Sequence, residues 1–394
     1  MSLSRRCGSL LLGLPGLAAL GLAACSSAGV EAAPSRGHAG AARESMTGTI
    51  DAMVAAGRFK GEAWRMNLAE RCAADVKAVS LHVDGDLLVA LDRSHQVHAI
   101  DRASGSHRWV VQLPGPVTHA IGGTASSLTF VCTDEVVAVE RKTGARINGS
   151  REAPRASNHL GFFPSGRAVT IGSTAYVGRL APFGLQAMAL GGAFDGWSYA
   201  TSSAVVDVLA LGDGAVAQVI GVTEDGLVAA LPPRGASESM WAPGENWYRR
   251  LGGTRVVTPL ALLGDSLVFG SETGFLYHVD ARSGNVRWKV ACGNDLRGHE
   301  ATIAGGAVYQ HSDGGVMAFD LATGAAQWTF SGAERAITRI SDRVYLDVGG
   351  DVTVVDAKSG QELARLGSQG LTVPTVQGGG TLIASDGVNV FALD

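Results

Sequence analysis

From residue 61 to its end, the chain consists of short stretches in which hydrophobic and polar residues alternate, separated by turn-forming residues. Alternation with a period of two is typical of β-strands that bury one face. Many stretches end in Asp or Glu, with Ser or Thr three positions later and then Gly, and the next stretch often carries Trp. The pattern predicts antiparallel strands joined by tight turns.

This unit recurs with the same internal phase in five copies. Its repeated positions are Asp101, Gly105 and Trp109; Glu140 and Gly144; Asp280, Gly284 and Trp288; Asp320, Gly324 and Trp328; and Asp356 and Gly360. The acid and the hydroxyl can accept hydrogen bonds from turn amides, and Gly supplies a positive φ. Trp on the following strand has a large apolar area to pack against a neighbouring sheet. We therefore interpret the acids as turn residues and not as general acids or bases.

The spacing of the tryptophans gives the number of units. Trp247, Trp288 and Trp328 are 41 and 40 residues apart, and Trp64 and Trp109 are 45 apart. Units of this length match the four-stranded blades of β-propellers. We expect an all-β fold with eight four-stranded antiparallel blades, or seven if residues 150–250 hold one blade with a large insertion.

The two ends of the chain favour a closed ring. The chain stops at Asp394, where an outer strand would be expected to follow, and residues 61–68 around Trp64 resemble the outer strand that contains Trp109. We predict that this N-terminal strand completes the last blade. Such closure removes the exposed sheet edges that promote aggregation.

The first residues have the features of an export signal. Arg5 and Arg6 precede an apolar stretch that ends in Leu22, Ala23, Ala24 and Cys25. This ending resembles the lipobox of bacterial lipoproteins, which implies cleavage before Cys25 and lipidation of that residue. An ordinary signal peptide with a chance cysteine is the alternative. We assign residues 1–24 to the signal, 25–60 to a flexible tether with a short helix over 46–57, and 61–394 to the propeller.

Charge and cysteine content narrow the possible partners. Without residues 1–24 the formal net charge falls from −4 to −6, and the chain has no run of basic residues. Both features argue against nucleic-acid binding. The residue after the lipobox cysteine is Ser26. In enterobacterial lipoproteins, Asp at this position implies retention at the inner membrane, so by resemblance Ser26 favours sorting to the outer membrane. Besides Cys25, the mature chain has Cys72, Cys132 and Cys292, for which we expect no disulfide.

The pattern from Gly274 to Trp288 resembles the tryptophan-docking repeat of PQQ-type (quinoprotein-like) propellers. The resemblance extends over residues 61–394 and is weakest in the third and fourth blades. A lipobox followed by such a propeller alone is similar to the lipoprotein subunit of the outer-membrane β-barrel assembly machine, which implies a scaffold without catalysis. On this basis we expect a monomeric propeller that binds the lipid bilayer through Cys25 and binds envelope proteins whose identity the sequence does not give.

The same resemblance raises an enzymatic alternative. Quinoprotein dehydrogenases hold the quinone on the propeller axis with Ca²⁺, and many have a disulfide between adjacent cysteines. This chain has no adjacent cysteines. We therefore expect no catalytic residues, no cofactor and no metal.

Departures from the repeat are the candidate partner sites. The third blade has Arg179 to Gly184 where we expect the repeated turn, and the loops around the fourth blade are rich in aromatic residues. The candidate partner residues are Phe183, Phe194, Trp197, Tyr199, Met240 and Trp241. Such residues favour a protein interface, although these loops could equally plug the axis or cover a blade edge. A carbohydrate-binding or cell-wall-binding role is a further possibility.

Overall fold

The computed structural model describes residues 62–68, 78–133, 135–147, 163–181, 183–190, 198–212, 217–232, 247–250, 254–294, 296, 298–367 and 371–394. These residues form thirty β-strands arranged in eight antiparallel sheets. The signal peptide, Cys25, the helix expected at 46–57 and Cys72 lie outside the described residues. No helix in the described part of the chain is long and apolar enough to span a membrane.

Each sheet is one blade, and the blades follow one another along the chain. Blade 1 contains β2 (Ala78–Asp84), β3 (Leu87–Asp92), β4 (Gln96–Asp101) and β5 (His107–Gln112); blade 2 contains β6 (Gly122–Gly123), β7 (Ser127–Val131) and β8 (Val136–Glu140). Blade 3 contains β9 (Phe163–Ile171), β10 (Thr174–Ala181), β11 (Phe183–Ala189) and β12 (Ser198–Ala200); blade 4 contains β13 (Val205–Leu211), β14 (Gln218–Thr223), β15 (Leu227–Leu231) and β16 (Trp247–Arg250).

The remaining four blades complete the ring. Blade 5 contains β17 (Ala261–Leu263), β18 (Ser266–Gly270), β19 (Phe275–Asp280) and β20 (Val286–Ala291); blade 6 contains β21 (Thr302–Ala304), β22 (Ala307–Ser312), β23 (Gly315–Asp320) and β24 (Ala326–Phe330). Blade 7 contains β25 (Arg335–Ile340), β26 (Arg343–Val348), β27 (Asp351–Asp356) and β28 (Glu362–Leu366); blade 8 contains β29 (Leu382–Ser385), β30 (Asn389–Leu393) and β1 (Glu62–Asn67).

Within the described residues, two blades show one of their strands only as an isolated bridge. In blade 2 the outer strand is represented by the bridge between Val139 and Arg146, and in blade 8 the inner strand is represented by the bridge between Thr372 and Ser385. With these bridges both sheets have four positions. Residues 150–250 hold the four strands of blade 3 and the four strands of blade 4, so the fold is the eight-bladed propeller and not the seven-bladed alternative.

The direction of the strands defines two faces. In an antiparallel blade, the turn between the second and third strands lies at the opposite end from the other two turns. We call the face with the second-to-third turns and the connections between blades the upper face. The lower face carries the turns between the first and second strands and between the third and fourth strands.

The hydrophobic core lies between the sheets. The described residues form eight buried clusters, and each cluster joins two neighbouring blades. One of them packs Met66 and Val390 of blade 8 against Leu88 and Ile100 of blade 1. Because every blade is covered on both faces in this way, stacking in a ring buries surfaces that a single sheet would leave exposed.

The ring closes as the sequence predicted. Strand β1 pairs antiparallel with β30, with Trp64 opposite Ala392 and Met66 opposite Val390. The N-terminal strand therefore forms the outer edge of the blade in which the chain ends. Asp394 follows β30 directly, at the lower end of blade 8.

The turn predicted in blade 3 joins a different pair of strands from the one we expected. Residues 179–184 connect β10 to β11, which are the second and third strands, with Leu180 paired to Phe183. The repeated acid turn joins third and fourth strands in the regular blades. Since both positions favour turn-forming residues, the pattern located a turn but not its place in the blade.

Candidate functional site

Five tryptophans link consecutive blades by the same hydrogen bond. In each, the indole Nε1 donates to a backbone carbonyl at the start of the acid turn of the next blade. The pairs are Trp64 with Arg102 at 2.8 Å, Trp109 with Arg141 at 2.9 Å, Trp247 with Ala281 at 3.1 Å, Trp288 with Leu321 at 2.8 Å and Trp328 with Ala357 at 2.9 Å. Trp64 therefore joins blade 8 to blade 1, and the closing strand makes the same contact as the strands inside the chain.

The turn glycines lie directly beneath these rings. A Cβ atom at Gly105 would lie 2.4 Å from the Trp64 ring, and one at Gly284 would lie 2.3 Å from the Trp247 ring. Both glycines also have a positive φ, 69° and 70°. The sequence indicated the backbone requirement, and the structure adds a steric one from the neighbouring blade.

The acids of the repeat are bonded within their own turns. Asp280 Oδ1 accepts hydrogen bonds from the amide and the hydroxyl of Ser283, both at 2.9 Å, and Asp320 and Asp356 accept the equivalent pair. Glu140 accepts from Thr143 Oγ1 at 2.7 Å. At Asp101, hydrogen bonds from Arg108 and Ser104 lower the carboxyl pKa to about 2. These hydrogen bonds occupy the acids within their turns, which fits their interpretation as turn residues.

A buried ion pair lies on the upper side of the inner strands. Arg167 of β9 donates to both carboxylate oxygens of Asp207 on β13, at 2.8 and 2.7 Å, and to the carbonyl of Leu260 at 2.7 Å. Asp207 also accepts from the amides of Val208 and Leu260, both at 2.9 Å. The pair thus joins blades 3, 4 and 5, and its hydrogen-bonding capacity is largely used inside the protein.

Glu300 extends this cluster towards solvent. Its carboxylate lies 3.7 Å from Arg167 and retains 35 % of its side-chain exposure, whereas Arg167 and Asp207 retain 10 % and 5 %. Burial raises the pKa of Glu300 and outweighs the opposing effect of Arg167. Gln377 of blade 8 donates to Glu300 at 3.3 Å and to the carbonyl of Ala301 at 2.8 Å. The cluster therefore reaches across the axis from blade 3 to blade 8.

This cluster was not predicted from the sequence. Arg167 and Asp207 are 40 residues apart, which is one repeat. A charged residue on an apolar inner strand, with its opposite charge one repeat later, was the available signal. The repeat is weak in blades 3 and 4, so the two positions were not aligned.

The tip of blade 3 exposes two apolar side chains. Leu180 and Phe183 are directly opposite each other on β10 and β11 and are 45 % and 47 % exposed. Cross-strand partners point to the same face of a sheet, so the two side chains form one patch, here called the blade 3 patch. It lies on the upper face, because it flanks a second-to-third turn.

The other candidate partner residues have different positions. Tyr199 is on β12, and its ring packs on the buried cluster between blades 3 and 4. It therefore contributes to the core instead of an exposed loop. Phe194, Trp197, Met240 and Trp241 lie outside the described residues.

The comparisons with known proteins agree with this geometry. The family described as outer membrane protein assembly factor BamB matches residues 50–178 and 224–392. The chain belongs to the BamB family. No curated protein sequence is similar enough to match it individually.

Solved structures show the same fold at low sequence identity. BamB from Moraxella catarrhalis is 20% identical, with a TM-score of 0.59 over 84% of this chain and 97% of that chain. Quinohemoprotein alcohol dehydrogenase from Comamonas testosteroni is 11% identical, with a TM-score of 0.52 over 84% of this chain and 76% of that chain. The designed protein Ika8 is 15% identical, with a TM-score of 0.53 over 81% and 96% of the respective chains. These similarities establish the propeller.

The cysteines and the possible metal ligands of this BamB-family chain do not form a reactive site in the residues that the structure describes. Cys132 and Cys292 are buried free thiols, and burial raises the pKa of each to about 12. Such thiols are poor nucleophiles at neutral pH. Within the described ranges, no three His, Cys, Asp or Glu side chains are grouped so as to hold a metal ion.

Proposed function

We propose that this protein is a non-catalytic scaffold of the bacterial cell envelope that binds a partner protein during outer-membrane protein assembly. Membership of the BamB family is the observation that carries the proposal. It also supports a location at the outer membrane facing the periplasm. The lipobox-like sequence that ends in Cys25 supports that residue as the lipid anchor. The expected net charge of the mature chain is compatible with a protein partner and does not favour nucleic acid.

The blade 3 patch supports a protein interface on the upper face. Its two apolar side chains lie together at a hairpin tip, in the part of the ring where the repeat is weakest. In the described part of the chain, four of the other exposed apolar residues lie on outer strands, and the fifth, Leu263, lies at the end of the inner strand of blade 5. The four are Val110, Tyr248, Val286 and Leu363. Irregular tips distinguish one blade from the next, so a partner that binds one side of the ring needs such features.

The polar groups near the axis and in the turns are already hydrogen-bonded inside the protein, which supports a scaffold more than a quinone-dependent enzyme. Arg167 and Asp207 bond to each other and to the backbone near the axis, and the repeated acids bond within their turns. An axial quinone site would need free donors and acidic ligands at this place. The dehydrogenase remains the alternative that the first experiment below excludes or supports.

Cofactor binding can be tested with the purified full chain. We expect no quinone absorbance on the protein and no dye-linked oxidation of alcohols after incubation with PQQ and Ca²⁺. Stoichiometric retention of PQQ with alcohol oxidation would overturn the scaffold proposal.

Partner binding can be tested in membranes by placing a photo-crosslinking amino acid at Phe183. We expect irradiation to give a discrete crosslinked product whose partner is an outer-membrane assembly protein. The same amino acid at Leu363 is the matched control, because that position is equally exposed on a regular blade. Equal products from both positions, or none from Phe183, would argue against the blade 3 patch as an interface.

The anchor can be tested separately. The mature protein from membranes should have the mass of a chain that begins at acylated Cys25, and Cys25→Ser should release it into the soluble fraction. An unacylated mature chain that still sediments with membranes would contradict the anchor without affecting the partner test.

A further inference from the structure

A cavity on the upper face between blades 1 and 2 combines apolar walls with unpaired basic groups. Its volume is about 380 Å³, and one side is formed by β2 and the turn after β3 and the other by the connection to blade 2. Leu81, Leu91, Val117 and Ile121 supply apolar surface. The volume and the mixed lining are typical of sites for small ligands or single side chains.

Three imidazoles and a guanidinium line or border the same cavity. They belong to His82, Arg93, His95 and His119. Within the described residues, His82, Arg93 and His95 form no side-chain hydrogen bond or ion pair, and His119 bonds only its neighbour Thr118, through Nδ1 at 2.8 Å. The described residues hold no metal-binding group of three such side chains, so this arrangement does not favour a cation.

The one carboxylate in the lining is already occupied. Asp92 Oδ1 accepts hydrogen bonds from the amides of Ser94 and Gln96, both at 2.8 Å, and Oδ2 lies 3.4 Å from His98 Nε2. Asp92 is only 3% exposed. The groups left to bind a ligand in this cavity are therefore donors and potential cations.

The turn that carries two of these groups is held in an uncommon conformation. His95 has a φ of 63°, in the left-handed region that non-glycine residues rarely adopt. Its amide bonds to Asp92 O at 3.3 Å and its carbonyl accepts the amide of Leu113 at 2.9 Å. Residues held this way often lie at binding sites, because the surrounding bonds maintain the strained geometry.

From these features we propose that the cavity binds a carboxylate attached to a small apolar body. The carboxylate contacts Arg93 and the imidazoles of His95 and His119, and the apolar body contacts Leu81, Leu91 and Ile121. A free small-molecule carboxylate and the C-terminus of a peptide share this chemistry.

The electrostatics give the site a pH dependence. Burial lowers the pKa of His119, and burial together with Arg167 and Arg141 lowers the pKa of His82 against the opposing charge of Asp84. Both rings are therefore neutral in the empty cavity at neutral pH. A bound carboxylate favours their protonated forms, so binding takes up protons and strengthens as the pH falls.

The test uses calorimetric titration of the full chain with phenylacetate, and with phenylacetamide as the uncharged control. We expect phenylacetate to bind and phenylacetamide to bind at least about tenfold more weakly, the effect of losing a charged hydrogen-bond partner. Affinity for phenylacetate should be at least about threefold higher at pH 6 than at pH 8. Equal binding of both compounds, or no binding of either at millimolar concentration, would overturn the proposal.

Variants locate the site. Arg93→Gln and His119→Gln should each weaken phenylacetate binding about tenfold, while His311→Gln should have no effect. His311 is a matched control, because it lies on blade 6 with Nδ1 3.2 Å from Ala333 O and is outside the cavity. Loss of binding in the control, or unchanged binding in both cavity variants, would contradict the assignment.

A second titration distinguishes the two sources of the carboxylate. A pentapeptide that ends in Leu is compared with its C-terminal amide. Tighter binding of the free peptide than of phenylacetate, with loss in the amide, would identify a chain terminus as the ligand class. Binding of phenylacetate alone would identify a small metabolite-like carboxylate.

Discussion

At the scale of single residues, the repeated glycine satisfies two requirements that can be separated experimentally. Gly284 has a φ of 70° and lies beneath the Trp247 ring, whereas Gly264 has a φ of 58° and a Cβ there would meet nothing within 4 Å. Alanine at either position must adopt a left-handed conformation, which costs about 1–2 kcal/mol. Only at Gly284 must it also displace an aromatic ring.

We therefore expect Gly284→Ala to destabilise the protein by about 1–3 kcal/mol more than Gly264→Ala, the usual cost of overpacking. Denaturant unfolding followed by tryptophan fluorescence measures the difference. Equal losses of unfolding free energy in the two variants would show that the ring contact contributes little beyond the backbone conformation.

The turn acids make folding stability depend on pH. Because the pKa of Asp101 is lowered to about 2 in the folded protein, the unfolded chain binds its proton more readily. The contribution of Asp101 is therefore complete above its ordinary pKa and is lost as the pH falls towards 2. In Asp101→Asn we expect a smaller loss of unfolding free energy between pH 4.5 and pH 2.5 than in the wild type. A loss of the same size in both proteins would be inconsistent with this linkage.

At the scale of strands and blades, the sequence predicted most of the architecture for a physical reason. The acid and its glycine satisfy the requirements of a turn, and the tryptophan bonds to the equivalent turn of the next blade. Their spacing therefore marks the regular blades. Blade 3 was harder, because the contact of Leu180 with Phe183 gives a tight hairpin without the acid signature. Its turn was recognised but assigned to the wrong pair of strands.

The closing strand provides a prediction at this scale. Removal of residues up to Asn67 leaves the edge of β30 unpaired and removes the bond from Trp64 to Arg102. We expect this variant to self-associate through the exposed edge, whereas removal of residues 26–45, which lie within the predicted tether, should leave a monomer. Light scattering after size exclusion measures both. A monomeric, fully folded variant without β1 would show that closure is not required.

At the scale of the whole molecule, contacts between blades are unevenly distributed. The ion pair of Arg167 and Asp207 joins inner strands one repeat apart, and only the folded ring shows that the two residues meet. The weak repeat in blades 3 and 4 conceals the spacing of this pair in the sequence. The histidine cavity could not be predicted for a different reason, because its lining comes from blade 1 and from the connection to blade 2.

This uneven distribution predicts different local stabilities. Blades 4 to 7 are joined in succession by the bonds of Trp247, Trp288 and Trp328. The described parts of blade 3 make no such bond with either neighbour, and the ion pair of Arg167 supports only its inner strand. Because most contacts of a blade are with its two neighbours, stability is approximately a sum over those interfaces, and weaker units open locally.

We therefore expect amides of β10 to exchange with deuterium faster than those of β22, the equivalent second strand of blade 6, although both strands are paired on both sides. Exchange followed by mass spectrometry under native conditions resolves the two strands. Trp288→Phe removes the indole donor but keeps an aromatic ring, so it should accelerate exchange in β22 and leave β10 unchanged. Identical protection of β10 and β22 would instead mean that the ring opens as one cooperative unit, in which the distribution of tryptophan contacts has no local effect.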